Sequence, residues 1–350
     1  MSEDDFGRDQ RHHGEPNPVI NAVSNVVAAI RADDDQIALA KAHEALHPKA
    51  IEKLHFAEAR IQPTAADAVK ALLQEQGRPT DPEQLVPGVT ARDTTIDGAV
   101  GSLPARIFTP TGAGPFPVIV YFHGGGWVIA DKNVYDAGAR GLAAQAGAVV
   151  VSVDYRQAPE HKFPAAWDDA LAAYRWALTN AASIDGDPAR VALAGESAGG
   201  NLAVATAIAA RDAGLQTPAH VLSVYPVAQT SLNTESYIEN AIAKPLNRAM
   251  VKWFVDHLVH SADDLKDTRL QLIDANLKGL PPVTIINARL DPLRSDGAKL
   301  LDALEDAGVE VERREYEGVA HEFFGAAAVL DKARQAQTYA GERLRESFGT

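Results

Sequence analysis

The chain has 350 residues, 46% hydrophobic and 23% charged, with 33 Lys and Arg against 47 Asp and Glu for a formal net charge of -14. This composition predicts a globular protein, its acidity argues against a nucleic-acid partner, and no apolar run is long enough for stable membrane insertion. With no cysteine, disulfides, thiolate metal sites and a cysteine nucleophile are excluded.

The acidic start Met1-Ser2-Glu3-Asp4-Asp5 lacks the positive charge of a secretory signal, which predicts a cytoplasmic protein. The adjacent His12 and His13 have no partners nearby and read as tail, not as a metal site. Val19, Ile20, Val23, Val26, Val27 and Ile30 share one helical face, and further helices are predicted over about Asp34 to Leu46 and Thr64 to Gln76. Residues 1–85 therefore read as an N-terminal helical segment.

Beyond it, β-rich runs alternate with helices. The runs are Ala91 to Ile96, Ala105 to Thr109, Val118 to Phe122, Ala148 to Asp154, Arg190 to Gly195, His220 to Tyr225, Val283 to Ala288 and Val309 to Tyr316. Helical patterns cover Ala165 to Leu178, Ala198 to Arg211, Asp296 to Asp306 and Ala326 to Arg345. Such alternation predicts an α/β fold, a mostly parallel sheet with helices on both faces, opened by an antiparallel pair around the Asp97-Gly98 turn. One stretch, Thr230 to Leu277, carries no strand but has Leu246, Met250, Phe254 and Leu258 at four-residue spacing. A crossover needs only a dozen or so residues, so residues 230–277 are expected to form a helical insertion that joins the N-terminal segment 1–85 as a cap, dividing the core into 86–229 and 278–350.

Arg190 to Gly200 reads RVALAGESAGG, a strand, a tight turn at Ser197 and then a helix. A GxSxG pattern arises by chance in roughly one such chain in fifteen, so the flanking strand and helix carry the argument. Gly195 and Gly199 leave room for a strained turn, and the helix beginning at Ala198 points its N-terminus at the serine. Upstream, the strand ending at Phe122 runs into His123-Gly124-Gly125-Gly126, whose N–H groups a substrate oxygen can approach without meeting a Cβ. Two of Gly124, Gly125 and Gly126, with the N–H of Ala198, are expected to form an oxyanion hole, and His123 to shape the loop. Where a serine nucleophile sits on such an elbow, the acid and then the base follow it in the chain. That leaves His257, His260 and His321 as bases; the first two fall in the insertion, and His321 follows the last strand on a loop. Asp291, directly after the seventh strand, is the acid, and Asp296 is expected to cap the next helix.

Together His123 to Gly126, Tyr155 to Ala166, Gly195 to Gly200, Asp291 to Arg294, and His321 with Phe323 resemble the bacterial hormone-sensitive-lipase-like (family IV) carboxylesterases of the α/β-hydrolase fold. The resemblance implies an eight-stranded sheet with a helical cap, short to medium acyl esters as small-molecule substrates, and no cofactor. Glu196, Glu322 and Ser295 depart from the family pattern, which more often has Asp, Gly and an acidic residue there. Glu322 places an extra carboxylate beside His321, expected to raise its pKa. The same nucleophile would also serve an amide, thioester or lactone. The last strand, at the sheet edge, offers a surface for a homodimer.

Overall fold

The central strands are continuous apolar runs because both faces of the sheet are covered. In the computed structural model, which describes residues 31–350, every residue of β4 (Val149–Val153) and all of β3 (Phe116–Phe122) after Phe116 are buried. The predicted helix over Val19 to Ile30 lies outside the described residues, whose N-terminal part holds α1 (Asp34–Ala45), α2 (Phe56–Ala59), α3 (Ala65–Glu75) and α4 (Pro82–Leu85).

The remaining strands are β1 (Val89–Asp97), β2 (Ser102–Pro110), β5 (Gly186–Glu196), β6 (Val221–Val224), β7 (Val283–Leu290) and β8 (Val311–Ala320). They form one eight-stranded sheet in the order β1-β2-β4-β3-β5-β6-β7-β8. β2 is antiparallel to both β1 and β4, and the rest are parallel.

Side chains alternate between the two faces of a strand, and the core divides accordingly. Val118, Val120, Val149, Val151 and Leu193 point to one face, where α6 (Ala165–Asn180), α7 (Ala198–Asp212) and α10 (Arg294–Asp306) contribute Trp167, Leu202 and Leu300. Ile119, Tyr121, Val150, Ala192 and Ile286 point to the other, with Leu142 and Leu344 from α5 (Asp136–Ala146) and α11 (Asp331–Phe348).

β3 lies between β4 and β5, so the chain leaves it first toward one edge and then returns to build toward the other. At such a switch point the loops beyond adjacent strands diverge and open a crevice at their C-terminal ends. Phe122, the last residue of β3, pairs with Gly195 near the end of β5. The loop beginning at His123 and the turn at Ser197 therefore leave the sheet side by side.

Three elements differ from expectation. β8 runs four residues past Tyr316 because Gly318 (φ +78°) and a register shift between Ala288 and Leu290 let pairing resume at Leu290 and Ala320. The last helix begins at Asp331; upstream of it a short 3-10 turn, Phe324–Ala326, buries Phe324 and Ala326. The insertion is less helical than its spacing suggests, with α8 (Glu235–Glu239) and α9 (Arg248–Leu258) joined by turns. Pro245 bars α9 from extending upstream, and Asn247 caps it by accepting the N–H of Met250 at 2.9 Å.

At the N-terminal end of the described chain, Asp33 N–H donates to the Gly318 carbonyl at 2.9 Å. Arg60 forms an ion pair with Glu160 and donates to the carbonyls of Val128 (2.8 Å) and Ala158 (3.0 Å). The first contact attaches this segment to β8 near its C-terminal end, and the second to the loops after β3 and β4. At the other margin β8 is an edge strand, and its Glu312, Arg313 and Glu315 bond within the chain to Tyr339, Asn287 and Arg289. Charged edges of this kind discourage pairing with another strand.

Candidate active site

Ser197 sits between the end of β5 and the start of α7 at φ +57°, ψ -117°. A non-glycine residue here stores on the order of 1–3 kcal/mol of strain, which persists only if the surroundings impose it. They do: Ser197 N–H donates to the Val224 carbonyl at 2.8 Å, and Ser197 O accepts from Asn201 at 3.1 Å. The flanking glycines are steric necessities. A Cβ on Gly195 would strike the Gly199 carbonyl, and one on Gly199 would strike the Phe122 carbonyl, because the elbow packs backbone against backbone on β3.

His321 and Asp291 each follow a strand directly, and the paired Leu290 and Ala320 set them side by side. The expected loop before His321 is absent because β8 continues to Ala320. His321 Nδ1 lies 2.7 Å from Asp291 Oδ2, and Nε2 lies 3.0 Å from Ser197 Oγ. A carboxylate only accepts, so Nδ1 carries the proton and Nε2 is free to accept from the serine hydroxyl. Asp291 is wholly buried, and its other oxygen accepts the Leu293 N–H at 2.8 Å. Burial works against the imidazolium, but the charge and hydrogen bond of Asp291, then the charges of Glu322 and Glu196, outweigh it and raise the His321 pKa.

Ala198 is the first residue of α7, where backbone N–H groups have no partner within the helix. Among the described residues, no hydrogen bond uses the N–H of Gly124, Gly125, Gly126 or Ala198. The glycine loop is held from behind. Gly125 O accepts from Val128 (3.1 Å) and Ile129 (3.0 Å), and Gln157 donates to the carbonyls of Ile129 and Ala130, both at 2.9 Å. His123 is buried, stacked on Tyr155 and bonded to the Gly124 carbonyl at 2.7 Å. Burial lowers its pKa, as suits a neutral loop-shaping imidazole.

The other candidates are occupied elsewhere. His257 Nδ1 bonds to the Trp253 carbonyl at 2.8 Å, and His260 is exposed. Asp296 does not cap α10, which starts at Arg294 without a side-chain cap. It is buried in the first turn and accepts from Ala228 N–H (3.1 Å) and Gln229 Nε2 (3.0 Å), fixing the loop after β6.

Glu196 was visible in the sequence only as a departure, and its surroundings were not. It is 1% exposed and accepts hydrogen bonds from the Tyr121 and Tyr225 hydroxyls, while the Tyr225 ring packs 4.5 Å from that of His321. Desolvation pushes its pKa up to about 7 against the pull of the two hydroxyls. An unfolded glutamate has released its proton above about 4.5, so between there and 7 the folded state binds the extra proton and stability falls as pH rises. Glu196→Gln is expected to remove that slope, worth on the order of 3 kcal/mol. Urea midpoints at pH 5 and pH 8 check it; a variant whose midpoint falls with pH as steeply as the wild type contradicts it.

A narrow, largely apolar cavity opens at Ser197. Its walls include Gly126, Trp127 and Leu293 from the core, and Leu246, Val251, Phe254 and Leu258 from the insertion. The gap between them, counted together with the solvent at its mouth, is about 550 Å³. Of the insertion aromatics, Phe254 faces this cavity. Trp253 turns away, donating to the Leu54 carbonyl at 3.3 Å. No group of three or more His, Asp or Glu among the described residues is placed to hold a metal ion, and no described helix is long and apolar enough to cross a membrane.

Comparison with known proteins gives consistent likenesses. A family model described as the alpha/beta hydrolase fold matches residues 119–325. The chain is 40% identical to the carboxylesterase NlhH of Mycobacterium tuberculosis over 280 residues, 78% of this chain and 88% of that one. It is 32% identical to the ethyl acetate hydrolase of Pseudomonas putida over 259 residues, 72% and 80% of the two chains. Among solved structures it resembles the ester hydrolase EH1AB1 from the metagenome of Lake Arreo, complexed with a derivative of bipyridine phosphonate. The TM-score is 0.80 with 33% identity, covering 91% of this chain and 100% of that one.

Proposed function

Because the chain belongs to the α/β-hydrolase family, as a hormone-sensitive-lipase-like serine carboxylic ester hydrolase, we propose that it cleaves short to medium acyl esters through a covalent acyl-enzyme on Ser197. The observation that carries this reading is the unbroken line from Ser197 Oγ to His321 (3.0 Å) to Asp291 (2.7 Å).

In this mechanism Ser197 Oγ attacks the ester carbonyl while His321 Nε2 takes its proton, and Asp291 stabilises the imidazolium. Two N–H groups from Gly124, Gly125 and Gly126, together with that of Ala198, hold the oxyanion. The imidazolium returns its proton to the leaving alcohol, and a water activated by the same imidazole releases the acid. Residues 230–277 and the N-terminal segment 1–85, of which 31–85 are described, serve as a cap over the core of 86–229 and 278–350. The Trp253 to Leu54 hydrogen bond supports this by joining the insertion to the N-terminal segment, as does the cavity that the insertion shares with Ser197.

The acyl chain lies in that cavity, between Phe254, Leu246 and Leu258. Each buried methylene contributes about 0.8 kcal/mol, roughly fourfold in kcat/KM, until the space is filled. A series of p-nitrophenyl esters should therefore rise from acetate, peak at about four to eight carbons and decline sharply by about twelve. Phe254→Ala is expected to move the peak to longer chains. A rate that climbs steadily to palmitate would remove the cavity from its assigned role. A fluorophosphonate followed by mass spectrometry of the peptide bearing Ser197 tests the nucleophile independently. The phosphonate bound by the Lake Arreo enzyme suggests that this class of probe suits the site.

A further inference from the structure

Glu322 follows His321 at φ +64°, in the left-handed region that a glycine adopts freely and a glutamate does not. Strain of this kind survives where a contact holds it in place. Here the contact is a hydrogen bond: the Tyr135 hydroxyl donates to the Glu322 carboxylate at 3.0 Å. Tyr135 is 6% exposed and precedes α5. Its hydroxyl abuts Gly124 so closely that a Cβ there would collide with it. One side-chain bond, between residues 187 apart in the chain, thus joins the residue after the base to the first glycine of the oxyanion loop.

We propose that Tyr135 and Glu322 are positioning residues for ester hydrolysis, their hydrogen bond keeping the His321 turn and the Gly124 loop in one register so that base and oxyanion donors address the same carbonyl. The proposal rests on the Ser197 mechanism above. The sheet alone would leave the two loops independent, since His321 leaves the end of β8 and Gly124 the end of β3, on strands separated by β5, β6 and β7. The groups facing His321 are Asp291 after β7, Glu196 and Ser197 at the end of β5, the Tyr225 ring after β6, and Glu322 itself. Of the three carboxylates, Asp291 alone hydrogen-bonds to the imidazole; Glu196 and Glu322 act on it through their charge.

Three variants of the full chain separate these effects. Tyr135→Phe deletes only the hydroxyl, Glu322→Gln keeps an acceptor but loses the charge, and Glu322→Gly loses both while relieving the backbone. On an activated butyrate ester, Tyr135→Phe and Glu322→Gly should each lower kcat about tenfold with KM within about twofold. Glu322→Gln should recover most of that loss. Both Glu322 variants should move the acid limb of the pH profile to lower pH, because a charge that favours the imidazolium is gone, and Tyr135→Phe should leave it in place. Glu322→Gly should melt no lower than the wild type, so its slower turnover cannot be attributed to a weakened fold. If Tyr135→Phe and Glu322→Gly keep kcat within about twofold of the wild type, the proposal is overturned. Fluorophosphonate labelling distinguishes the two levels: a wild-type chain not labelled at Ser197 condemns the underlying mechanism, whereas normal labelling with unaffected variants condemns the strut alone.

Discussion

Ser197→Ala is expected to lower kcat on a short activated ester by about six orders of magnitude, leaving only the acceleration due to binding and the oxyanion donors. The hydroxyls of Tyr121 and Tyr225, which meet at the adjacent Glu196, are bonded to that carboxylate and so are not free to replace the lost oxygen. The fold should be indifferent to the change. The turn is held through backbone atoms, by the bonds of Ser197 to Val224 and Asn201, and among the described residues the side chain bonds only to His321. The purified variant should therefore melt within about 4 °C of the wild type, since the loss of one side-chain hydrogen bond costs about 1 kcal/mol. Retention of even one percent of wild-type turnover by a variant free of wild-type contamination would refute Ser197 as nucleophile.

Asp291→Asn should cost about four orders of magnitude in kcat with little change in KM. The substitution preserves shape, and the amide oxygen can still accept the Leu293 N–H now received at 2.8 Å. What changes is the other position. An amide nitrogen facing His321 Nδ1 donates where the carboxylate accepted, so the imidazole must present a lone pair on Nδ1 and carry its proton on Nε2. In that tautomer it cannot take the proton of Ser197. The rate of fluorophosphonate labelling at Ser197 should fall in parallel with kcat, since both require the deprotonated serine. Unimpaired labelling in Asp291→Asn would mean that another group orients the base.

Both experiments address residues that the amino-acid sequence itself singles out, and the reason is physical. Ser197, Asp291 and His321 stand at the point where an apolar run gives way to a turn, and the glycines of the 123–126 loop break the pattern just as sharply. Parallel strands buried on both faces make those boundaries visible. The misplacements came from positions where the boundary is blurred. Glu317-Gly318 resembles a strand end, yet Gly318 bends the chain and β8 resumes, so His321 gains the support of the sheet instead of a loop. Asp296 begins a helical pattern and so resembles a cap, whereas its carboxylate serves a loop 67 residues away.

The polar cluster around the triad was not legible in its contacts, because nothing local announces it. Glu196 is bonded to tyrosines 75 and 29 residues distant, each of which reads as an ordinary strand residue. The insertion was hard for a different reason. Four-residue spacing of Leu246, Met250, Phe254 and Leu258 identifies an apolar stripe, but Leu246 lies upstream of α9, and which neighbouring aromatic faces the cavity depends on the pose of the whole segment.

The switch point at β3 has a consequence for how such a protein can diversify. Every group assigned to bond-breaking is anchored within a few residues of a strand terminus, so its coordinates are inherited from the hydrogen-bonded lattice of the sheet. Most of the cavity walls proposed to meet the acyl chain belong instead to a segment that leaves the sheet beyond β6 and rejoins it before β7. Insertions, deletions and exchanges there alter what enters without retuning what happens to it. A lineage built on this plan can change its diet while conserving its chemistry, and the residues at which it does so are those least constrained by the sheet.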